Sequence, residues 1–341
     1  MTATSARLRR AETLSAHRQA DIVFTFLAGL LMTGVYLDAW AHMRGLPDSF
    51  WTPWHGLLYS GLLACALFVA IGRLLERGDV RPALGPGYEL SAVGAAVAAL
   101  GGVGDALWHT VFGVEFDLEA AVSPSHLLIA AGILLLVSGP ARSAWAARGR
   151  AGGTAAVSVL YSVGIVTIIA AYADPFVDVR GAGAAPAAEL AELVRTSALF
   201  AFAAHAAITA GAVLIAIRNG RLAPGWLGLI VGGNAAALTL ASEGVVGAAL
   251  PVLLGVSVAA GVLVALAAAL LRPDPERPAS MYAFAFALSA LPYAAYAAAV
   301  SIALGTWWSP TFWSGVVMIG GLTGVLVCAV AARDGARAAP A

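Results

Sequence analysis

Four of the six histidines in this 341-residue chain sit in two stretches that share one order of residues. The first runs Asp38-x-x-x-His42, a spacer, then Thr52-Pro53-x-His55. The second runs Asp105-x-x-x-His109, a longer spacer, then Ser123-Pro124-x-His126. An Asp and a His four residues apart lie on one face of a helix, about 6 Å apart along its axis. Thr-Pro and Ser-Pro read as an N-cap followed by proline at the first helical position, which puts His55 and His126 in the first turn of a returning helix. Such a hairpin turns its second His back toward the Asp/His pair. Each hairpin then offers one carboxylate and two imidazoles, a donor set suited to copper, zinc, iron or nickel. Three protein ligands leave coordination positions open, as catalytic and transport sites require, and two His with one carboxylate also form the facial set of non-haem iron.

The elements that must hold these residues are membrane spans. The chain is 60% hydrophobic and only 11% charged, against roughly 45–50% and 25% in soluble domains. Apolar runs long enough to cross about 30 Å of hydrocarbon recur along its length. Backbone polar groups in lipid must be satisfied within the segment, so these runs are expected to be helices. The pattern predicts an all-α polytopic bundle of about ten helices: 21–43, 53–76, 88–112, 124–146, 153–174, 193–218, 225–242, 246–271, 280–304 and 310–332. Residues 1–20 and 333–341 form terminal segments. Residues 21–146 form a four-helix part with the two hairpins, and 153–332 a six-helix part. All 19 basic residues are arginine, and sixteen of them fall on alternate connections; the other side carries only Arg44, Arg180 and Arg195. The positive-inside rule then places both termini in the cytoplasm and all six Asp/His residues near the extracytoplasmic face of a multi-pass cell-membrane protein. Ala39-Trp40-Ala41 resembles a signal-peptide cleavage site, but the apolar run is too long for one and cleavage would part Asp38 from His42.

A third stretch, Trp308 to Gly315, repeats the cap as Ser309-Pro310-Thr311, with Phe312 where the His would stand. This reads as a degraded copy of the hairpin, hence an internal repeat. Trp40, Trp51, Trp54 and Trp108 surround the triplets as shields against water or as interfacial anchors. Asp48, Glu115, Asp117 and Glu119 make the hairpin mouths acidic, which fits either cation attraction or ordinary solvated loops.

The spacing Asp-x-x-x-His, twelve residues, His resembles the membrane copper site in the C subunit of particulate methane and ammonia monooxygenases. It is carried here by Asp38, His42 and His55. That subunit has a second triplet in a following hairpin, matched by Asp105, His109 and His126, with Asp here where the family has Asn. The resemblance covers residues 30–135. It implies copper at one or both triplets, oxygen chemistry on a small apolar substrate, and a need for other membrane subunits. The chain is also similar to bacterial multi-pass membrane proteins of unassigned activity that carry Asp-x-x-Trp-His and Ser-Pro-x-His hairpins.

Outside the triplets, His205 lies mid-span, Glu243 reads as a solvated loop acid, Asp174 and Asp178 as outer-loop acids, and Asn234 as interhelical glue. Abundant Gly and Ala fit close helix packing. Cys65 and Cys328 form no CxxC and read as small buried hydrophobes. A net charge of zero argues against nucleic acid as a partner. P-loop, dinucleotide, His-Glu-x-x-His and Gly-x-Ser-x-Gly signatures are missing. Four functions fit these residues: a copper or iron oxidase or monooxygenase, a copper- or zinc-handling protein, a zinc-dependent intramembrane hydrolase, and a metal-free proton-coupled transporter. The partners implied are membrane lipid, the metal ion, and either further membrane subunits or a second copy of the chain.

Overall fold

The computed structural model describes residues 3–47, 49, 51–77, 84–113, 117–147 and 152–337, with backbone alone at 3–13, 117 and 332–337. The described residues are all-α. In chain order the helices are α1 (Ala3–Met43), α2 (Pro53–Arg77), α3 (Tyr88–Phe112), α4 (Asp117–Val122), α5 (Pro124–Val137), α6 (Gly139–Ala146), α7 (Gly153–Ile169), α8 (Ala188–Asn219), α9 (Pro224–Ala241), α10 (Glu243–Val246), α11 (Leu250–Leu271), α12 (Pro278–Ala303) and α13 (Pro310–Arg337). Among them are nine stretches long and apolar enough to cross a membrane, with α5–α6 and α10–α11 each counted as one. α7 is a shorter apolar helix. Large apolar side chains such as Phe26, Leu100, Leu107 and Leu270 are exposed along these helices, as lipid-facing surfaces require.

Two compact units divide within α7: Met1–Ile165 and Val166–Ala341. In the first, α1 packs on α2 and α3 on α5. Small residues set these seams. A side chain at Gly132 would meet the Ala98 backbone nitrogen at 2.3 Å, and one at Gly61 would meet the Leu31 backbone at 2.6 Å. The two backbones in each pair therefore approach as closely as small residues allow.

The fourth predicted span is not continuous. It breaks at Ser138, just before Gly139-Pro140, because Pro140 has no N–H to continue the ladder. The freed carbonyls find side-chain donors. Ser158 Oγ on α7 donates to Val137 O at 2.7 Å and accepts from Ala141 N–H at 3.2 Å. Arg142 donates to Leu135 O at 2.9 Å, Gly87 O at 2.8 Å and Ser91 Oγ at 3.0 Å. Nearby, buried Asp21 accepts from Tyr88 O–H at 2.8 Å and Ser143 O–H at 3.2 Å, tying α1, α3 and α6 together.

The fifth span also departs from expectation. Hydropathy predicts it over 153–174, but α7 stops at Ile169. Pro175 disfavours helical backbone at Asp174. The chain passes through a short 3-10 turn, and Asp174 accepts the Phe176 N–H at 2.9 Å. Asp174, Phe176 and Val177 are buried, so this non-helical segment is enclosed by protein, where such backbone is tolerated at membrane depth. The rest of the second unit packs α9 on α11, α11 on α12, α12 on α13 and α13 on α8. Phe176, Phe202, Tyr293, Tyr296, Trp308 and Trp313 lie at its core.

Candidate metal centre

Each hairpin is ended and restarted by local backbone chemistry that fixes its ligands. α1 closes after His42 at Gly45, which adopts φ +61°, with Gly45 N–H bonded to His42 O at 2.9 Å and Leu46 N–H to Ala41 O at 3.0 Å. That left-handed glycine caps the helix and leaves Asp38 and His42 in its last turns. Pro53 then opens α2 and sets His55 in its first turn. α3 closes at Gly113, which also takes a positive φ (+85°) but with extended ψ, and whose N–H bonds His109 O at 3.1 Å. Ser123 caps α5 by accepting the His126 N–H at 3.3 Å. Ser309 makes the same cap onto Phe312 at 3.3 Å, at the start of α13.

All six predicted residues come together as two groups of three. Within each group one ligand atom from every residue lies within 4.8 Å of the others. In the first, Asp38 Oδ1 is 3.0 Å from His55 Nε2 and 3.7 Å from His42 Nε2. In the second, Asp105 Oδ1 is 3.3 Å from His126 Nε2, and Asp105 Oδ2 is 3.4 Å from His109 Nε2. Two donors about 2.1 Å from a shared tetrahedral ion stand about 3.4 Å apart. The observed separations bracket that value, so each group could hold a metal ion.

The ring orientations strengthen the fit. His55 Nδ1 lies 2.9 Å from Ser49 O and 3.0 Å from Thr52 Oγ1. His109 Nδ1 lies 3.1 Å from Gly113 O, and His126 Nδ1 faces Ala120 O at hydrogen-bond distance. A carbonyl only accepts, so in three of the four rings Nδ1 carries the proton. A neutral ring held this way points the Nε2 lone pair at the carboxylate. Lone pair and carboxylate repel unless a cation stands between them. Asp38 Oδ1 is buried and accepts no hydrogen bond among the described residues, even with His55 Nε2 at 3.0 Å. That oxygen is placed as a ligand atom is placed, and carbonyl partners at Nδ1 are the usual outer shell of metal-bound histidine.

The two groups differ in two respects that the shared pattern hides. Ser125, between Pro124 and His126, donates to Asp105 Oδ1 at 2.8 Å. Its counterpart in the first hairpin is Trp54, whose buried Nε1 has no hydrogen-bond partner among the described residues. The Asp105 side chain is 7% exposed and that of Asp38 21%. The tryptophans are not a uniform shield: Trp51 is 88% exposed, while Trp40 lies under the Arg44 guanidinium at 5.2 Å. Of the acids at the mouths, Asp48, Glu115 and the side chain of Asp117 lie outside the described residues, and Glu119 is exposed.

In the second unit, Asn234 accepts from Thr167 O–H at 3.0 Å, as interhelical glue would. Asp178 pairs with Arg180 at 3.0 Å near the surface, and Glu243 is half-buried at the start of α10. Asp174 corrects the loop-acid expectation: it is 2% exposed and faces the equally buried His205. The early end of α7 brings it there. Both cysteines are buried and unbridged. The chain matches no known protein family, no curated protein and no solved structure.

Proposed function

We propose that this chain is an integral membrane metalloprotein whose first unit carries two transition-metal centres, Asp38/His42/His55 and Asp105/His109/His126, near the extracytoplasmic face. The observation that carries the reading is the convergence in each group of a carboxylate and imidazole Nε2 atoms, with three of the four rings anchored at Nδ1 to backbone carbonyls. All six side chains ligate directly. Copper is the ion this reading commits to, supported by the spacing of the first triplet, and oxidation of a small apolar substrate delivered from the membrane is the activity. A bound ion would supply an open position for oxygen or substrate. The protein's own part is to hold the donors, fix their tautomers and limit water. The charge bias of the connections supports the outer placement.

The same distances also suit protonated imidazoles paired with carboxylates and no metal, as in a proton-coupled transporter. Metal content by mass spectrometry separates the two readings. Purified protein reconstituted with copper should hold two ions per chain, His42→Ala and His109→Ala one each, and the double variant none. Zinc or iron bound in copper's place, with the same losses, would keep the centres and replace the oxidase by a hydrolase or an iron oxygenase. No bound metal in folded wild-type protein would overturn the proposal.

A further inference from the structure

We propose that Asp174 and His205 form a buried proton-binding site in the second unit, built from none of the triplet residues. Tyr293 on α12 orients the ring. Its O–H donates to Phe202 O at 2.9 Å, and a phenol has one proton to give. The His205 Nδ1 that lies 2.8 Å from the same oxygen must therefore be the N–H donor of that contact. The Nε2 lone pair of the neutral ring is then left over, and it is buried with no hydrogen-bond partner among the described residues. It faces Asp174 Oδ2 at 3.8 Å, while Asp174 Oδ1 is held by the Phe176 N–H at 2.9 Å.

Counting charge decides what fills this gap. His205 and Asp174 are 3% and 2% exposed, against the rings of Phe176 and Tyr293. A carboxylate facing a lone pair there is an uncompensated buried anion, which is strongly unfavourable. One added proton makes the pair neutral, either as a carboxylic acid donating to Nε2 or as an imidazolium donating to the carboxylate. A second proton would make it an uncompensated cation. The nearby cation, Arg180, is shared with other acceptors and offsets the Asp174 charge only in part. Arg180 is taken up by Asp178 at 3.0 Å and Tyr172 O at 2.6 Å, and Tyr296 donates to Asp178 O at 3.4 Å. A metal ion fits less well, because among the described residues no third His, Cys or carboxylate joins this pair and a stable site needs at least three donors. The 3.8 Å separation exceeds a hydrogen bond, so gaining the proton draws the Asp174 segment and α8 together and losing it lets them part.

The test uses full-length protein in detergent with metal removed by chelation, so that its outcome does not depend on the triplets. Infrared difference spectra are recorded across a pH titration, with circular dichroism reporting the fold. One proton should appear and leave at this site, read as a carboxylic C=O stretch or an imidazolium ring mode. The band should be absent in both Asp174→Asn and His205→Gln. Tyr293→Phe keeps the packing but frees Nδ1, and should move the titration midpoint by about tenfold in proton concentration. The proposal is overturned if the band survives in Asp174→Asn, if Tyr293→Phe titrates like the wild type, or if folded wild-type protein shows no such band at any pH. Loss of fold in the two polar substitutions leaves the wild-type band and Tyr293→Phe to decide.

Discussion

His55 Nε2 stands 3.0 Å from Asp38 Oδ1, and that oxygen is buried without accepting a hydrogen bond among the described residues. The ring is turned by its other nitrogen, which bonds the carbonyl of Ser49. A loop carbonyl thus aims a lone pair on α2 at a carboxylate on α1. Geometry of this kind asks for a cation, and it makes the first prediction one of competition. Protons and metal contend for the same Nε2 atoms. A bound metal ion should dissociate as the solution is acidified, with about two protons taken up for each ion lost. Metal retained per chain after dialysis at stepped pH would show this directly, and retention unchanged down to the unfolding point would refute it.

Ser125 is the clearest difference between the centres. Its hydroxyl holds Asp105 Oδ1 at 2.8 Å. Partners of this kind are worth about 10- to 100-fold in metal affinity. Ser125→Ala should weaken the second centre by roughly tenfold and leave the first unchanged. Competition with a graded chelator, in a His42→Ala background to isolate the second centre, measures it; equal affinity in both proteins would show that the serine only packs.

The α3–α5 seam is predicted to matter to the same centre from a distance. A methyl at Gly132 would sit 2.3 Å from the Ala98 nitrogen, so Gly132→Ala must force the helices apart. Overpacking of this type costs about 1–3 kcal/mol. The shift also separates His126 on α5 from Asp105 and His109 on α3. The variant should melt earlier and keep one ion per chain, held by the first triplet. Two retained ions would mean that the seam yields without moving the ligands.

The Asp21, Tyr88 and Ser143 cluster should behave as a clamp without metal chemistry. Tyr88→Phe removes the hydroxyl that donates to Asp21 Oδ1 and leaves a buried carboxyl short of a partner. The expected loss is about 1–3 kcal/mol. Asp21→Ala combined with Tyr88→Phe should cost less than the sum of the two single changes, since both remove one interaction. Detergent thermal melts give the three values, and additive losses would show that the two groups do not couple.

How much of this could be read from the chain depends on distance along it. Asp38 with His42, and Asp105 with His109, are four residues apart on a helix, so their proximity is a local fact. The Thr-Pro and Ser-Pro pairs mark where α2 and α5 begin, which puts His55 and His126 in their first turns. The carbonyls of Ser49, Gly113 and Ala120 could not be read, because which backbone oxygen faces a ring depends on the path of the intervening loop. Ser125 stands in the pattern only as the variable residue before the histidine, and nothing local says which carboxylate its hydroxyl meets. The pairing of Asp21 with Tyr88 spans 67 residues and left no pattern. Asp174 was lost for a different reason. Hydropathy carried the fifth span to 174, although Pro175 signalled an earlier end, and once α7 stops at Ile169 the acid folds inward.

The unequal burial of the two carboxylates bears on the order of events in time. Ligand exchange at a metal begins when solvent or a competing donor reaches a bound position, and the Asp38 side chain is 21% exposed where that of Asp105 is 7%. The first centre should therefore fill and empty quickly and follow the supply of metal. The second, with its serine-held carboxylate, should trade slowly. A chain moved from rich to poor conditions would then pass through a long-lived half-loaded form whose remaining ion sits between α3 and α5.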